Sequence, residues 1–312
     1  MMIKKLKKIV LFILCVVIII VGFPMTAKAD MGPKPSVTIR FENMGDELCY
    51  GTLLSKNESA GSASAWDGND DHARYRNDEN YPYGMFNYDI WKAFVEYEDI
   101  DGYYFLQQGW LVSETKEISW TYYPPSNFKI LLYYPETQTF IVSDIYEKYA
   151  FDSYFTVNME GINISSVEHD EDINTNVHIK AYRSYEYGWE ILSLIARIVI
   201  TILIEMLIAL MFGYWHKKQL LLLIAVNSGT QIILNILLNI INYKSGLFAF
   251  FIFYIMLEIL VFVIEAIIFF CLLGRISDKK RAKWLAIPYA LVSNFVSFIA
   301  GIMVVQWLPG IF

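Results

Sequence analysis

The chain has 312 residues, a formal net charge of −7, 55% hydrophobic residues and 16% aromatic residues, which is enough apolar material for a folded domain together with membrane helices. Charge is divided unevenly: residues 30–190 carry 28 acidic and 11 basic side chains, a balance of 11 − 28 = −17, and the rest of the chain is basic. The acidic part lacks the clustered Lys and Arg that a phosphate backbone requires, which excludes nucleic acid as its partner.

At the start, Lys4, Lys5, Lys7 and Lys8 precede an apolar run over 9–23 and the small-residue site Ala27-Lys28-Ala29. This order predicts a signal peptide over 1–29, with an uncleaved signal anchor as the alternative because the apolar run approaches spanning length. Either form exports residues 30–190. Cys15 lies in this leader and Cys271 in a later apolar stretch, so Cys49 has no partner for a disulfide within the exported part.

Residues 30–190 are expected to form a β-rich extracytoplasmic domain, an antiparallel meander or sandwich. Strands are predicted at 36–41, 49–54, 103–112, 154–159 and 177–182 from their Val, Ile, Tyr, Phe and Trp content. The clearest alternation is Ile118, Trp120 and Tyr122, followed by the turn Pro124-Pro125-Ser126-Asn127 and strands at 128–134 and 139–142, which reads as a meander. Short helical turns are expected at 89–97 and 144–149, and a long loop over 57–81.

Within that loop Asp67, Asn69, Asp70 and Asp71 offer oxygen ligands that calcium accepts, without the glycine and distal glutamate of an EF-hand. The run Glu168-His169-Asp170-Glu171-Asp172 reads as a solvated loop, with metal binding as the alternative. Trp66, Trp91, Trp110 and Trp120 read as core and sheet surface, with stacking on a carbohydrate ligand as the alternative. Asn57-Glu58-Ser59 and Asn163-Ile164-Ser165 match glycosylation acceptors.

Residues 191–312 are expected to form an α-helical four-span transmembrane bundle, with spans at about 191–214, 220–241, 247–273 and 284–308. The loops 215–219 and 274–283 hold Lys217, Lys218, Arg275, Lys279, Lys280, Arg281 and Lys283, whereas the loop between the middle spans holds only Lys244. The positive-inside rule places the two basic loops in the cytoplasm, and the 30–190 domain and the C-terminus outside.

Ionisable groups in a span are costly unless they face one another, water or a ligand. Glu205, Glu258 and Glu265 are such groups, and Asn227, Gln231, Asn235 and Asn239 recur every four residues on one helix face. Counting inward from the basic loops at ~1.5 Å per residue puts Glu205 and Glu265 at one depth, near Asn227, Gln231 and Asn294. An intramembrane polar layer follows, comprising Glu205, Asn227, Gln231, Glu258, Glu265 and Asn294. Helix-to-helix hydrogen bonding explains it, and an ion, proton or headgroup site is the alternative. Arg197 is expected near the outer interface, reaching headgroups or Glu190.

The sequence contains no Ser-His-Asp order, nucleophile elbow, phosphate loop, paired-cysteine metal motif or His-Glu-x-x-His helix, so no catalytic residue and no cofactor is assigned. The run Asp30-Met31-Gly32-Pro33-Lys34-Pro35-Ser36-Val37, the segment Cys49-Tyr50-Gly51-Thr52-Leu53-Leu54 and the later Glu205, Thr230-Gln231 and Glu258/Glu265 pattern resemble a family of uncharacterised membrane proteins of Gram-positive anaerobic bacteria. That resemblance implies an exported domain followed by four spans, and no activity. The expected partners are the lipid bilayer and an envelope protein or carbohydrate ligand, in a binding or sensing protein. A small ion or proton transporter or channel subunit using the intramembrane glutamates is the alternative.

Overall fold

The structure, a computed structural model, describes residues 32–75, 88–162, 178–276 and 280–307. The leader 1–29, the acidic run 168–172, the acceptor at Asn163 and the end of the expected 57–81 loop lie outside the described residues.

Strands β1 (Ser36–Glu42), β2 (Tyr50–Ser55), β3 (Ser59–Ala60), β4 (Ala63–Ser64), β5 (Tyr104–Phe105), β6 (Trp110–Leu111), β7 (Glu117–Trp120), β8 (Asn127–Tyr134), β9 (Thr139–Ser143), β10 (Tyr146–Glu147), β11 (Asp152–Asn158), β12 (His178–Ile179) and β13 (Ala181–Arg183) build the β domain. Two short helices, α1 (Tyr88–Glu96) and α2 (Val112–Thr115), belong with them. A four-stranded sheet runs β13-β11-β1-β7, and a seven-stranded sheet runs β12-β9-β8-β2-β5 with β10 added to β8 and β6 to β2.

Both sheets are mixed, because β1 runs parallel to β11 and β9 parallel to β12. This corrects the purely antiparallel expectation. The predicted meander is also rearranged: β7 pairs with β1 while β8 pairs with β2, so the Pro124–Asn127 turn carries the chain from one sheet to the other. The reason lies in the core. Ile39, Ile118, Trp120, Phe155 and Val157 from the smaller sheet meet Leu53, Phe128, Ile130, Leu132 and Ile141 from the larger one in a single buried cluster, and facing sheets let these side chains interdigitate.

The opposite face of the larger sheet presents Leu54, Leu131 and Tyr133 to Ile90, Trp91 and Phe94 of α1, whose helical spacing puts all three on one side. Strand β8 is therefore covered on both faces, which explains its near-continuous apolar sequence. Its one charge, Lys129, is buried against Asp99 at 2.8 Å and Asp101 at 2.5 Å.

Three local expectations are revised. The stretch 103–112 breaks into β5 and β6 around Gln107 at φ 56°, because the Gln107 side chain is held by the Trp91 indole N–H, the Arg74 amide and the Ser64 carbonyl. Residues 146–147 pair with β8 instead of forming a helical turn. The described part of the 57–81 loop contains the β3–β4 hairpin and a 3-10 turn over Asp70–His72. Trp91, Trp110 and Trp120 are buried, whereas Trp66 is half-exposed with its edge on Trp91.

Three helices follow: α3 (Tyr187–Met211), α4 (Lys217–Ile276) and α5 (Lys280–Trp307). Each contains a segment long and apolar enough to cross a membrane. Helix α3 is inside out relative to a helix dissolved in water. Ser193, Arg197, Thr201 and Glu205 are buried at four-residue spacing, while Ile195, Val199, Leu203 and Leu207 are exposed at the same spacing.

Helix α4 is 60 residues long but is interrupted at Gly246, at φ 77° and ψ 179°. Thr230 and Glu265 would be about 52 Å apart along an unbroken helix. They are instead hydrogen-bonded at 2.5 Å, so the chain doubles back at Gly246. The predicted second and third spans thus correspond to the two helical limbs that meet at the non-helical Gly246, as separate helices were expected to.

Candidate functional site

Helix α5 packs on the bundle through Ala286, Tyr289, Ala290, Ser293, Asn294 and Ser297, all buried. Small and polar residues on this inner face allow close approach of the neighbouring helices. They also collect the acidic groups. The Asn294 amide donates to Glu265 Oε2 at 2.6 Å, and the Ser297 hydroxyl donates to Glu205 Oε1 at 3.2 Å. Since Asn294 and Ser297 are one turn apart, the carboxylates of α3 and of the second limb of α4 face the same patch of α5.

The first limb of α4 closes the layer. Thr230 donates to Glu265 Oε1, and the Asn227 amide lies 3.4 Å from the Tyr289 hydroxyl and within hydrogen-bonding reach of Glu205. The structure therefore brings together Glu205, Asn227, Glu265 and Asn294, as depth counting along the sequence anticipates. Gln231 lies one turn from Asn227, buried, and accepts from Asn235 within its own helix. Glu258 stands two turns from Glu265, about 10 Å along the helix. It lies beside Tyr254 and lines a cleft of about 220 Å³ with Phe262, Asn294 and Phe298.

Tyr289 and Ser297 are members of the layer that the sequence did not single out, and Thr230 entered only through the resemblance. The spacing of Asn294 and Ser297 on one face was the available signal.

Arg197 departs from its expected place. It is buried, its guanidinium donates to Asn239 Oδ1 at 3.1 Å, and it lies over the Phe250 ring at 6.0 Å. The amide oxygen and the ring draw it into the bundle, while Glu190 accepts instead from the Tyr185 hydroxyl at 2.5 Å.

A second concave site of about 410 Å³ lies where the β domain meets the bundle. Arg40, Asp152 and Tyr154 line it from the sheet, Trp189 and Glu190 from α3, and Tyr243 from the α4 bend. The two halves touch directly here. The Phe151 amide donates to the Tyr243 carbonyl at 2.8 Å, and the Phe151 ring sits over Gly246, where a Cβ would be 2.5 Å from ring carbons. Rings of Tyr149, Tyr154, Tyr185 and Tyr243 surround this contact, with Arg183 stacked at 4.6 Å on Tyr149. Burial raises the Asp152 carboxyl above the ordinary carboxylate range, although the Ser36 hydroxyl at 2.5 Å favours the anion.

Two of the four calcium candidates, Asp67 and Asn69, bond within their own loop. Asp67 accepts from the Asn69 amide and Asn69 from the Asp71 amide, and His72 Nδ1 lies 2.8 Å from Asp67. The His72 contact holds the Asp67 carboxyl below its ordinary range. Among the described residues no three His, Cys, Asp or Glu side chains are grouped to hold a metal ion. Comparison with family models, with curated proteins and with solved structures gives no match for the chain.

Proposed function

We propose that this chain is a cell-envelope membrane protein that binds or senses an extracellular ligand or partner. In this reading the β domain faces outward, α3, the two limbs of α4 and α5 cross the bilayer as four spans, and the basic loops lie in the cytoplasm. The carrying observation is the junction cleft, whose walls come from both halves. A pendant domain on a flexible tether would share no such wall. Exposed Trp189 supplies an aromatic face, and Arg40, Asp152 and Glu190 supply polar groups beside it, a combination suited to a carbohydrate ligand. The ring of tyrosines around the junction also suits the membrane–water boundary.

Deleting residues 30–190, and separately replacing Arg40 and Trp189 by Ala in the full chain, should each abolish association with envelope material in cross-linking and pull-down. An interactome identical to that of the unaltered protein in both cases refutes the reading. Sidedness is tested in a chain with Cys15, Cys49 and Cys271 replaced. Lys244→Cys should label with an impermeant maleimide on intact cells, and Lys218→Cys only after permeabilisation.

A further inference from the structure

Hydrogen bonds in the polar layer are unevenly shared. Glu265 accepts at both oxygens, from Thr230 and from Asn294. Glu205 accepts from Ser297 at Oε1 and has the Asn227 amide in reach, while Glu205 Oε2, Asn227 Oδ1, Asn294 Oδ1 and, two turns away, Glu258 Oε2 have no donor among the described residues. All four side chains are at least nine-tenths buried. The Asn294 amide is fixed in orientation because its nitrogen faces two acceptors, Glu265 Oε2 and the Ala290 carbonyl at 2.9 Å. Its oxygen is therefore a genuine surplus acceptor beside the carboxylates.

Donors do not balance this excess. Gln231 Nε2 is the one buried donor of the layer without an acceptor. Arg197, the one buried basic side chain of the helices among the described residues, is eight residues from Glu205; one guanidinium nitrogen donates to Asn239, and its Nε has no acceptor among the described residues but is too far along the helix to pair with the layer. Two carboxylates and two amide oxygens of this buried layer therefore have no cationic partner among the described residues, and buried charge is retained only when paired or coordinated. Oxygen-only ligands suit a hard cation, and with one proton kept on the carboxylate pair a single positive charge leaves the layer neutral.

We propose that the layer formed by Glu205, Asn227, Glu265 and Asn294 binds one monovalent cation of sodium size, with protons competing for the same carboxylates. The charged and titratable groups facing it are Glu205 and Arg197 of α3, Glu258, Glu265 and Tyr254 of α4, and Tyr289 of α5. The inference does not depend on which ligand occupies the junction cleft. Asn294 also lines the cleft beside Glu258.

The test uses the full chain in detergent or nanodiscs, with sodium chloride exchanged for potassium or N-methylglucamine chloride at constant ionic strength. Radioactive sodium should bind saturably at about one ion per chain, at least tenfold more weakly when the pH falls by two units, and should raise the unfolding temperature. Glu205→Gln and Asn294→Ala should each weaken binding at least tenfold. The wild-type titration needs no variant, so a misfolded mutant does not rescue the idea. Equal stabilisation by all three salts overturns it. A pH-dependent unfolding temperature with no saturable sodium binding also overturns it, showing a proton-only layer.

Discussion

Gly246→Ala probes the joint between the two halves. The backbone at φ 77° and ψ 179° is a region open essentially to glycine, and placing another residue there costs about 1–3 kcal/mol. The new methyl would also stand 2.5 Å from Phe151 Cδ1 and Cε1, and displacing a packed ring adds on the order of 1–3 kcal/mol. Together they come to about 2–6 kcal/mol, a fall of roughly 4–24 °C in unfolding temperature at about 2–4 °C per kcal/mol. The two parts separate in a double-mutant cycle measured by thermal unfolding in detergent. In a Phe151→Ala background only the backbone part remains, so Gly246→Ala should cost clearly less there, with a coupling of about 1–3 kcal/mol. Equal costs in the two backgrounds refute the claim that Phe151 is keyed onto the bend.

Lys129→Met should destabilise the β domain by about 3–5 kcal/mol, since it leaves the Asp99 side chain, 1% exposed, without its counter-ion; near-UV circular dichroism of the melting transition measures this. Burial alone would lower the Lys129 ammonium, but Asp101 and Asp99 outweigh it and hold it above its ordinary range. Its stabilisation is therefore complete below the unfolded value of roughly 10.4 and is lost as pH rises through the folded one. The Asp101 carboxyl, held below its ordinary range by Lys129, contributes above roughly pH 4 and loses that contribution as pH falls. Lys129→Met should flatten both limbs of the stability profile, and an unchanged profile would count against the buried triad. Burial pushes the Cys49 thiol up to about 12, so at pH 8 iodoacetamide should modify it at least about a hundredfold more slowly in the native protein than in denaturant; mass spectrometry of the Cys49 peptide reads the ratio.

Much of this architecture can be read along the chain, because its local signals are strong. The alternation in 36–42, the near-continuous apolar run at 128–134, the helical spacing of Ile90, Trp91 and Phe94, and the four-residue recurrence of polar groups in α4 all predict the observed elements. Depth counting placed Glu205 and Glu265 together because helical rise is fixed whatever the partners. Strand partnership is different. Ser36 pairs with Asp152, 116 residues away, and no local pattern distinguishes that parallel pairing from a hairpin. Ser297 and Tyr289 escaped notice because a hydroxyl on an apolar helix barely alters its hydropathy. Arg197 was misplaced because the residues that draw it inward, Asn239 and Phe250, flank a bend whose geometry depends on Phe151 from another domain.

Helix α3 runs from the junction cleft to the buried layer, and Arg197 lies between them, so its charge bears on the proposed cation site. Eight residues of helix separate Arg197 from Glu205, about 12 Å. At an effective dielectric of ~20, a unit charge at that distance opposes a bound cation by about 1.4 kcal/mol, which is a factor of about ten in affinity. Arg197→Met should therefore tighten sodium binding roughly tenfold, while Arg197→Lys, which keeps the charge, should leave it nearly unchanged. The Asn239 side chain that Arg197 releases is only partly buried, so the Met variant strands no fully enclosed polar group. If sodium affinity weakens in Arg197→Met, or shifts equally in the Lys variant, the guanidinium acts by packing instead of charge. By reciprocity, an anionic ligand in the cleft close enough to offset that guanidinium would favour the cation by the same factor with which the cation favours the ligand.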